Sequence, residues 1–144
     1  MSFILALLAS SLSSNAVAPT VVAAAQAPTV APTSIAETEV IRSARDWLVL
    51  GDQGRWKDGW AATASSFRKL NTVERWAEAA TKVRVPMGAL ISRTALSQES
   101  VPAPPAGVEV IKFRTNFANK ANVIETVSLA REGSEWRVVG IYVE

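Results

Sequence analysis

Residues 108–143 read VEVIKFRTNFANKANVIETVSLAREGSEWRVVGIYV, and this stretch decides the fold. It contains three runs in which apolar and polar residues alternate, separated by two short polar segments. That pattern predicts three strands joined by hairpins, because side chains on a strand point alternately to opposite faces. The apolar face of the first two runs contains Ile111, Phe113, Phe117, Val123, Val127 and Leu129.

The two turns set the expected pairing of these strands. A loop centred on Lys120 keeps the apolar faces together and pairs Thr115 with Glu125. Gly133-Ser134 suits a two-residue turn with glycine first, where positive φ is needed, and it pairs Glu125 with Tyr142. The other expected pairs are Phe117–Val123, Phe113–Val127, Ile111–Leu129, Arg131–Trp136, Leu129–Val138 and Val127–Gly140. The pairing predicts a polar row of Thr115, Glu125 and Tyr142 across an otherwise apolar face.

The first 36 residues differ in composition from the rest, since they contain no Asp, Glu, Lys or Arg. Phe3 to Ala9 is a short apolar core, followed by small residues of the kind that signal peptidases cleave. We interpret residues 1–25 as a signal peptide, 26–36 as a proline-spaced linker and 37–144 as one α+β domain. The basic flank usual before such a core is absent, and the alternative is a tail rich in Ala, Pro and Thr.

Three helices are predicted between the linker and the strands. Ser34 with Glu37 forms a capping box for the first helix, Asp52 is a candidate cap for the second, and Asn71 for the third. Pro86 ends the third helix. Their apolar stripes contain Val40, Ile41, Ala44, Trp47 and Leu48, then Trp56, Trp60 and Ala64, then Val73, Trp76, Ala77, Ala80 and Val83.

A further strand is expected from Ala89 to Gln98, before a proline-rich loop. Three helices followed by a four-stranded antiparallel meander predict an α+β fold, with the helices on one face of a curved sheet in a cystatin-like or cone arrangement. The tryptophans are expected in the contact between helices and sheet, because large aromatic side chains contribute most to such cores.

Composition excludes several classes of function. The sequence has no cysteine and no histidine, which removes disulfides, lipid-modified cysteine, and Ser-His or Cys-His catalysis, and argues against zinc, haem or copper. We expect no cofactor, no metal and no stable membrane anchor after processing. The net charge is only +2 with no basic run, so nucleic acid is not an expected partner.

Two surfaces are candidates for function. The first is a ligand pocket at Glu125, Thr115 and Tyr142, where a carboxyl on an apolar sheet face is either a general base, a ligand anchor or a structural acceptor. The structural interpretation is favoured. The second is the opposite, basic face of the sheet with Lys112, Arg114 and Arg137, either solvated or a docking surface for an acidic partner.

Several runs resemble a known family. They are Asp46-Trp47-Leu48 with Asp52, Gly54 and Trp56, then Pro86-Met87-Gly88, Phe113 to Lys120, Glu125 to Leu129, and Trp136 to Gly140. They resemble a family of short exported bacterial proteins known as a domain of unknown function, number four-zero-one-nine, and Phe113 to Lys120 is the most specific run. The resemblance covers about residue 35 to the C-terminus. It implies export and a fold similar in outline to the cone-shaped nuclear transport factor and ketosteroid isomerase domains, and it implies no activity.

Two functional hypotheses follow. The favoured one is a non-catalytic periplasmic module that binds a small apolar ligand or another envelope protein, because residues with catalytic chemistry are few. The alternative is a cone-type isomerase or hydrolase-like enzyme with Glu125 as general base and Tyr142 as hydrogen-bond donor. An enclosed cavity of ligand size that reaches Glu125 would favour the enzyme over the binding module, and a solid core would argue against the enzyme.

Overall fold

The computed structural model describes residues 33–144, so the predicted signal peptide and most of the predicted linker lie outside it. Helices come first in this range and strands follow, and the fold is α+β as predicted. The helices are α1 Glu39–Asp52, α2 Trp56–Ala61, α3 Ser65–Leu70 and α4 Val73–Arg84, followed by a 3₁₀ turn at Val85–Met87. The strands are β1 Leu90–Val101, β2 Val108–Phe117, β3 Val123–Glu132 and β4 Glu135–Val143.

The strands form one antiparallel sheet in the order β1-β2-β3-β4, which confirms the predicted meander. The register between β2 and β3 differs from the prediction by two residues, since Thr115 pairs with Val123 and Phe113 with Glu125. The turn closes earlier because Phe117 and Lys120 exchange backbone hydrogen bonds, and Asn122 takes up the extra length at φ 56°. An even shift keeps each side chain on its predicted face.

The turn between β3 and β4 is the predicted Gly133-Ser134 turn, with Gly133 at φ 66° and Leu129 paired with Val138. Beyond that pair a β-bulge adds one residue to β4. The predicted pairing of Glu125 with Tyr142 is therefore wrong, because Glu125 pairs with Val143. The predicted Val127–Gly140 pair is likewise replaced by Val127–Ile141.

The second predicted helix is divided into α2 and α3, so the described residues contain four α-helices instead of three. The chain between them lies along the edge of β4, where Thr63 bridges Val138 and Ala64 donates a backbone hydrogen bond to the Val138 carbonyl. This contact straightens the chain where a continuous helix would pass. Sheet pairing therefore overrides the helical spacing of Trp60 and Ala64.

The helix caps also differ from the prediction. Thr38 caps α1 by accepting from the Ile41 amide, and Thr72 caps α4 by accepting from the Arg75 amide. Asp52 is the last residue of α1 instead of the cap of the next helix. Its carboxylate therefore accepts hydrogen bonds from the side chains of Arg84 and Arg93 instead of from helix amides.

The core lies between α1 and the sheet and is divided in two. The larger part contains the predicted stripe of α1 and the inner face of the sheet at Ala95, Ile111, Phe113, Val127, Leu129 and Val138. The smaller part contains Met87, Phe117 and Val123, with Val143 against it. On β2, Thr115 stands between Phe113 of one part and Phe117 of the other. A polar layer therefore crosses the core at this level.

Candidate functional site: a buried charge cluster at the base of an apolar cleft

Glu125 and Thr115 meet on the inner face of the sheet, as predicted. Both are buried, with 3% and 0% of their surface exposed. The Thr115 hydroxyl donates a hydrogen bond to Glu125 Oε2. A carboxylate so far from water needs further donors, because burying an unpaired charge costs several kcal/mol.

Arg93 of β1 supplies those donors. Its Nε lies 2.7 Å from Glu125 Oε2 and its Nη2 lies 3.1 Å from Oε1. The same guanidinium reaches Asp52 at the end of α1, with Nη1 2.7 Å from Oδ2 and Nη2 3.1 Å from Oδ1. Only 3% of the Arg93 side chain is exposed. Arg93 therefore ties the sheet to α1 through two paired carboxylates.

Arg84, in the last turn of α4, extends the cluster. Its Nε and Nη2 are each 3.2 Å from Asp52 Oδ1, and its Nη1 donates to the carbonyl of Gly88 at 2.6 Å. The guanidinium lies over the Phe117 ring, 4.2 Å from its centroid. Two arginines and two carboxylates balance in formal charge, and they join α1, α4, β1 and β3. We call Asp52, Arg84, Arg93 and Glu125 the charge cluster.

The electrostatics of Arg93 follow from this geometry. Burial is the largest influence and by itself would lower its pKa. Hydrogen bonds and Coulomb attraction from Asp52 and Glu125 together outweigh burial and raise the pKa of Arg93 above its ordinary value. The guanidinium therefore stays charged throughout the range in which proteins work.

The sequence predicted the inward Glu125 and its neighbour Thr115, but it did not indicate that Asp52, Arg84 and Arg93 join Glu125. Arg93 pairs with Thr115 on β2, so it lies on the inner face, next to Ala95 which pairs with Phe113. A register shift between Ala95 and Ser97 disturbs the alternation along β1 and hides this position in the sequence. One signal could have indicated Arg93: a carboxylate that faces the core, such as Glu125, needs a cationic partner close by.

An apolar cleft of about 370 Å³ opens above the charge cluster. Helices α1, α2 and α4 form its walls, and the end of β4 closes one side. The aromatic and aliphatic lining contains Trp47, Leu48, Trp56, Trp76, Ala79, Ala80, Val83, Met87, Ile141 and Val143. Asp52, Arg84 and Glu125 of the charge cluster also line the cleft, as does the more exposed Arg55, which pairs with Asp58. The volume falls within the range of roughly 300 to 1,000 Å³ that small-molecule sites occupy.

The indole N–H groups of two wall residues point away from any ligand's reach, into the protein backbone. Trp47 Nε1 donates to the Gly59 carbonyl at 2.9 Å, and Trp76 Nε1 donates to the Trp56 carbonyl at 3.1 Å. The two rings also pack against each other, with centroids 5.6 Å apart. These bonds fix the two rings, so the part of the wall that Trp47 and Trp76 form is preformed and offers a ligand no indole donor.

A family model described as "Protein of unknown function (DUF4019)" matches residues 43–141. The chain belongs to the DUF4019 family. The match runs from α1 to β4 and spans the whole charge cluster, and the family description assigns no activity. No curated protein matches the chain.

Tyr142 does not join Glu125 in this DUF4019 domain. The bulge in β4 places it opposite Thr126, on the outer face of the sheet, with 63% of its surface exposed. Only its position at the rim of the cleft connects it with the predicted pocket. Of the three residues predicted to form that pocket, the structure brings Glu125 and Thr115 together and leaves Tyr142 apart.

The three basic residues predicted for a docking surface are also separated. Lys112 pairs with Thr126 and Arg114 with Ile124, near one end of β3. Arg137 pairs with Ala130, and its guanidinium contacts Glu135 and the Ala62 carbonyl. Four residues along β3 between Thr126 and Ala130 correspond to about 13 Å. Arg137 therefore does not form one basic patch with the other two.

Residues 33–144 contain neither a metal-binding cluster of side chains nor a membrane-crossing helix. No cluster of three or more acidic side chains in this range is arranged to hold a metal ion. No helix in this range is both long and apolar enough to cross a bilayer.

Proposed function

We propose that this DUF4019 protein is an exported, non-catalytic module that binds a small, largely apolar ligand in the cleft between α1, α2, α4 and β4. The supporting observation is the combination of an apolar, indole-walled space of about 370 Å³ with a base whose charges are already paired. Such a site removes apolar surface from water, which is the main source of affinity for ligands of this kind.

The charge cluster has a defined part in this proposal. It holds the ends of α1 and α4, two of the three helices that form the cleft walls, against β1 and β3. A wall that is already fixed loses little conformational entropy on binding, and this improves affinity. The cone-type arrangement implied by the family resemblance belongs to the same proposal, since it places helices and a sheet around such a space.

The cleft reaches Glu125, as the alternative of an enzyme with Glu125 as general base requires, but the hydrogen bonds that Glu125 already makes give this alternative less support. Glu125 Oε2 accepts from Arg93 and Thr115, and Oε1 accepts from Arg93. A general base needs a free oxygen within hydrogen-bond reach of the substrate proton. Tyr142, its intended hydrogen-bond donor, is on the other face of the sheet. The binding module is therefore the function we propose.

Export rests on composition. Residues 1–36 carry no charged side chain, and their apolar core at Phe3 to Ala9 suits a secretory signal. The absence of cysteine is compatible with an oxidising compartment, where a free thiol would be a liability. We place the mature protein in the periplasm or outside the cell.

Titration with decanol, a neutral apolar probe, tests the proposed site. Intrinsic tryptophan fluorescence should change saturably, because three of the five tryptophans line the cleft. Ala80→Leu on α4 fills the cleft and should abolish the response without loss of thermal stability. Ala61→Leu makes the same chemical change at an exposed position outside the lining and is the matched control. Equal binding by wild type and Ala80→Leu would refute the site.

A further inference from the structure

Arg84 retains hydrogen-bond donors that the protein does not use. A guanidinium carries five N–H donors, and that of Arg84 makes three hydrogen bonds with the described residues, two to Asp52 and one to Gly88. Arg84 lines the cleft, and 14% of its side chain is exposed. Arg93, by comparison, uses four donors and is 3% exposed. Arg84 is thus the member of the cluster with donors to offer a ligand.

The carboxylates of the cluster offer a ligand much less. Asp52 accepts four hydrogen bonds from the two arginines, and Glu125 accepts three from Arg93 and Thr115. A cationic head group would compete with these arginines for acceptors. A head group that accepts hydrogen bonds can use the spare N–H groups of Arg84 without breaking any pair.

The position of Arg84 is also fixed before a ligand arrives. The guanidinium donates to Asp52 and to the Gly88 carbonyl, and it stacks on the Phe117 ring. Gly88 adopts φ 79°, and a side chain there would meet Asn119 Nδ2 at 2.9 Å, so the carbonyl position depends on glycine. A planar fork held in this way matches the geometry of a carboxylate.

We infer that the ligand is a monocarboxylate amphiphile, with its apolar body between the indoles and its carboxylate on the spare N–H groups of Arg84. This inference rests on the proposed function and specifies the class of ligand. The apolar body contacts Trp47, Trp56 and Trp76, while the carboxylate lies at the base of the cleft beside the charge cluster. The overall charge of +2 also favours an anion over a cation.

The test compares decanoate, decanol and decylamine, which share a chain length and differ in the head group. Decanoate should bind about tenfold or more tightly than decanol, because hydrogen bonds between a carboxylate and a guanidinium are stronger than those of a neutral hydroxyl. Decylamine should bind most weakly, because its ammonium group has no free acceptor in the cluster and is repelled by Arg84. Equal affinity for decanoate and decanol would overturn the inference and leave the proposed function standing. Failure of all three to bind would refute both.

Two variants locate the head group. Arg84→Gln should reduce the ratio of decanoate affinity to decanol affinity to less than about threefold. The ratio is the readout, because any loosening of the cleft walls weakens the binding of both ligands. Arg114→Gln removes the same charge from the outer face of the sheet, outside the cleft lining, and should keep the full preference. An unchanged preference in Arg84→Gln, or an equal loss in both variants, would contradict a carboxylate site at Arg84.

Discussion

Replacing Glu125 by Gln tests whether the charge cluster stabilises the fold. The change keeps the shape of the side chain but removes its charge and turns one accepting oxygen into an amide that donates. If the amide replaces Oε1, the hydrogen bond from Arg93 Nη2 is lost, but Nη2 still donates to Asp52. If it replaces Oε2, Arg93 Nε loses its acceptor and the Thr115 hydroxyl must turn from donor to acceptor. The variant is expected to adopt the first arrangement, because every N–H group of Arg93 that was bonded keeps a partner.

The expected loss of unfolding free energy depends on the interactions that Arg93 keeps in the variant. One charge-assisted hydrogen bond contributes about 1.5–3 kcal/mol, and removing a partner of a buried ion pair costs about 3–5 kcal/mol. Asp52 still pairs with Arg93 in the variant, so the guanidinium is not left alone. We therefore expect Glu125→Gln to lower the free energy of unfolding by about 2–4 kcal/mol.

Urea unfolding at neutral pH, followed by circular dichroism, measures this loss. The control is Glu135→Gln, since Glu135 also contacts an arginine, Arg137, but 62% of its side chain is exposed. That variant should stay within about 0.5 kcal/mol of wild type. A Glu125→Gln protein as stable as wild type, or more stable, would refute the structural role of the cluster and indicate a carboxylate retained for function at the expense of stability.

Three further predictions concern the turn, an exposed carboxylate and the N-terminus. In thermal melts, Gly133→Val should lower the free energy of unfolding by about 1–3 kcal/mol. The cause is the positive φ alone, because nothing lies within 4 Å of the new Cβ. Gly140→Val, which also has open space but no positive φ, should lose much less in the same thermal melts. The backbone N–H of Ser65 lowers the pKa of Glu132 from 4.5, so Glu132 stabilises the fold above that pH and the contribution is lost as the pH falls through its folded pKa. The difference in melting temperature between wild type and Glu132→Gln should therefore close on acidification, and a constant difference would contradict it. Mass spectrometry of protein from its native host should find a new N-terminus near Gln26, and full-length protein in the cytoplasm would contradict export.

The alternation of residues predicted the faces of β2 and β3 correctly, although the register between these strands was wrong. The turn after Phe117 closes two residues earlier than expected, and an even shift leaves Thr115 and Glu125 on the inner face. The bulge in β4 is an odd shift, and it carries Tyr142 to the outer face. No residue type in β4 marks that bulge, whereas the packing of Thr63 along the same edge accompanies it.

The charge cluster was predicted only in part, for a different reason. Its members come from the ends of two helices and from two strands, and 41 positions separate Asp52 from Arg93. Helix and strand periodicity describe neighbours in sequence, so they do not indicate which charges meet across the core. Glu125 was identifiable because a carboxylate interrupts an apolar face, while Asp52 and Arg84 look like ordinary polar residues at helix ends.

The most direct test of the binding cleft is a proton–nitrogen NMR titration of the full chain with decanoate, observing the five indole N–H signals. Trp47, Trp56 and Trp76 line the cleft, whereas Trp60 and Trp136 lie outside its lining and act as internal controls. We expect saturable shifts of the first three signals and little change in the other two. Shifts centred on Trp60 or Trp136, or no saturable shift at all, would contradict a ligand site in this cleft.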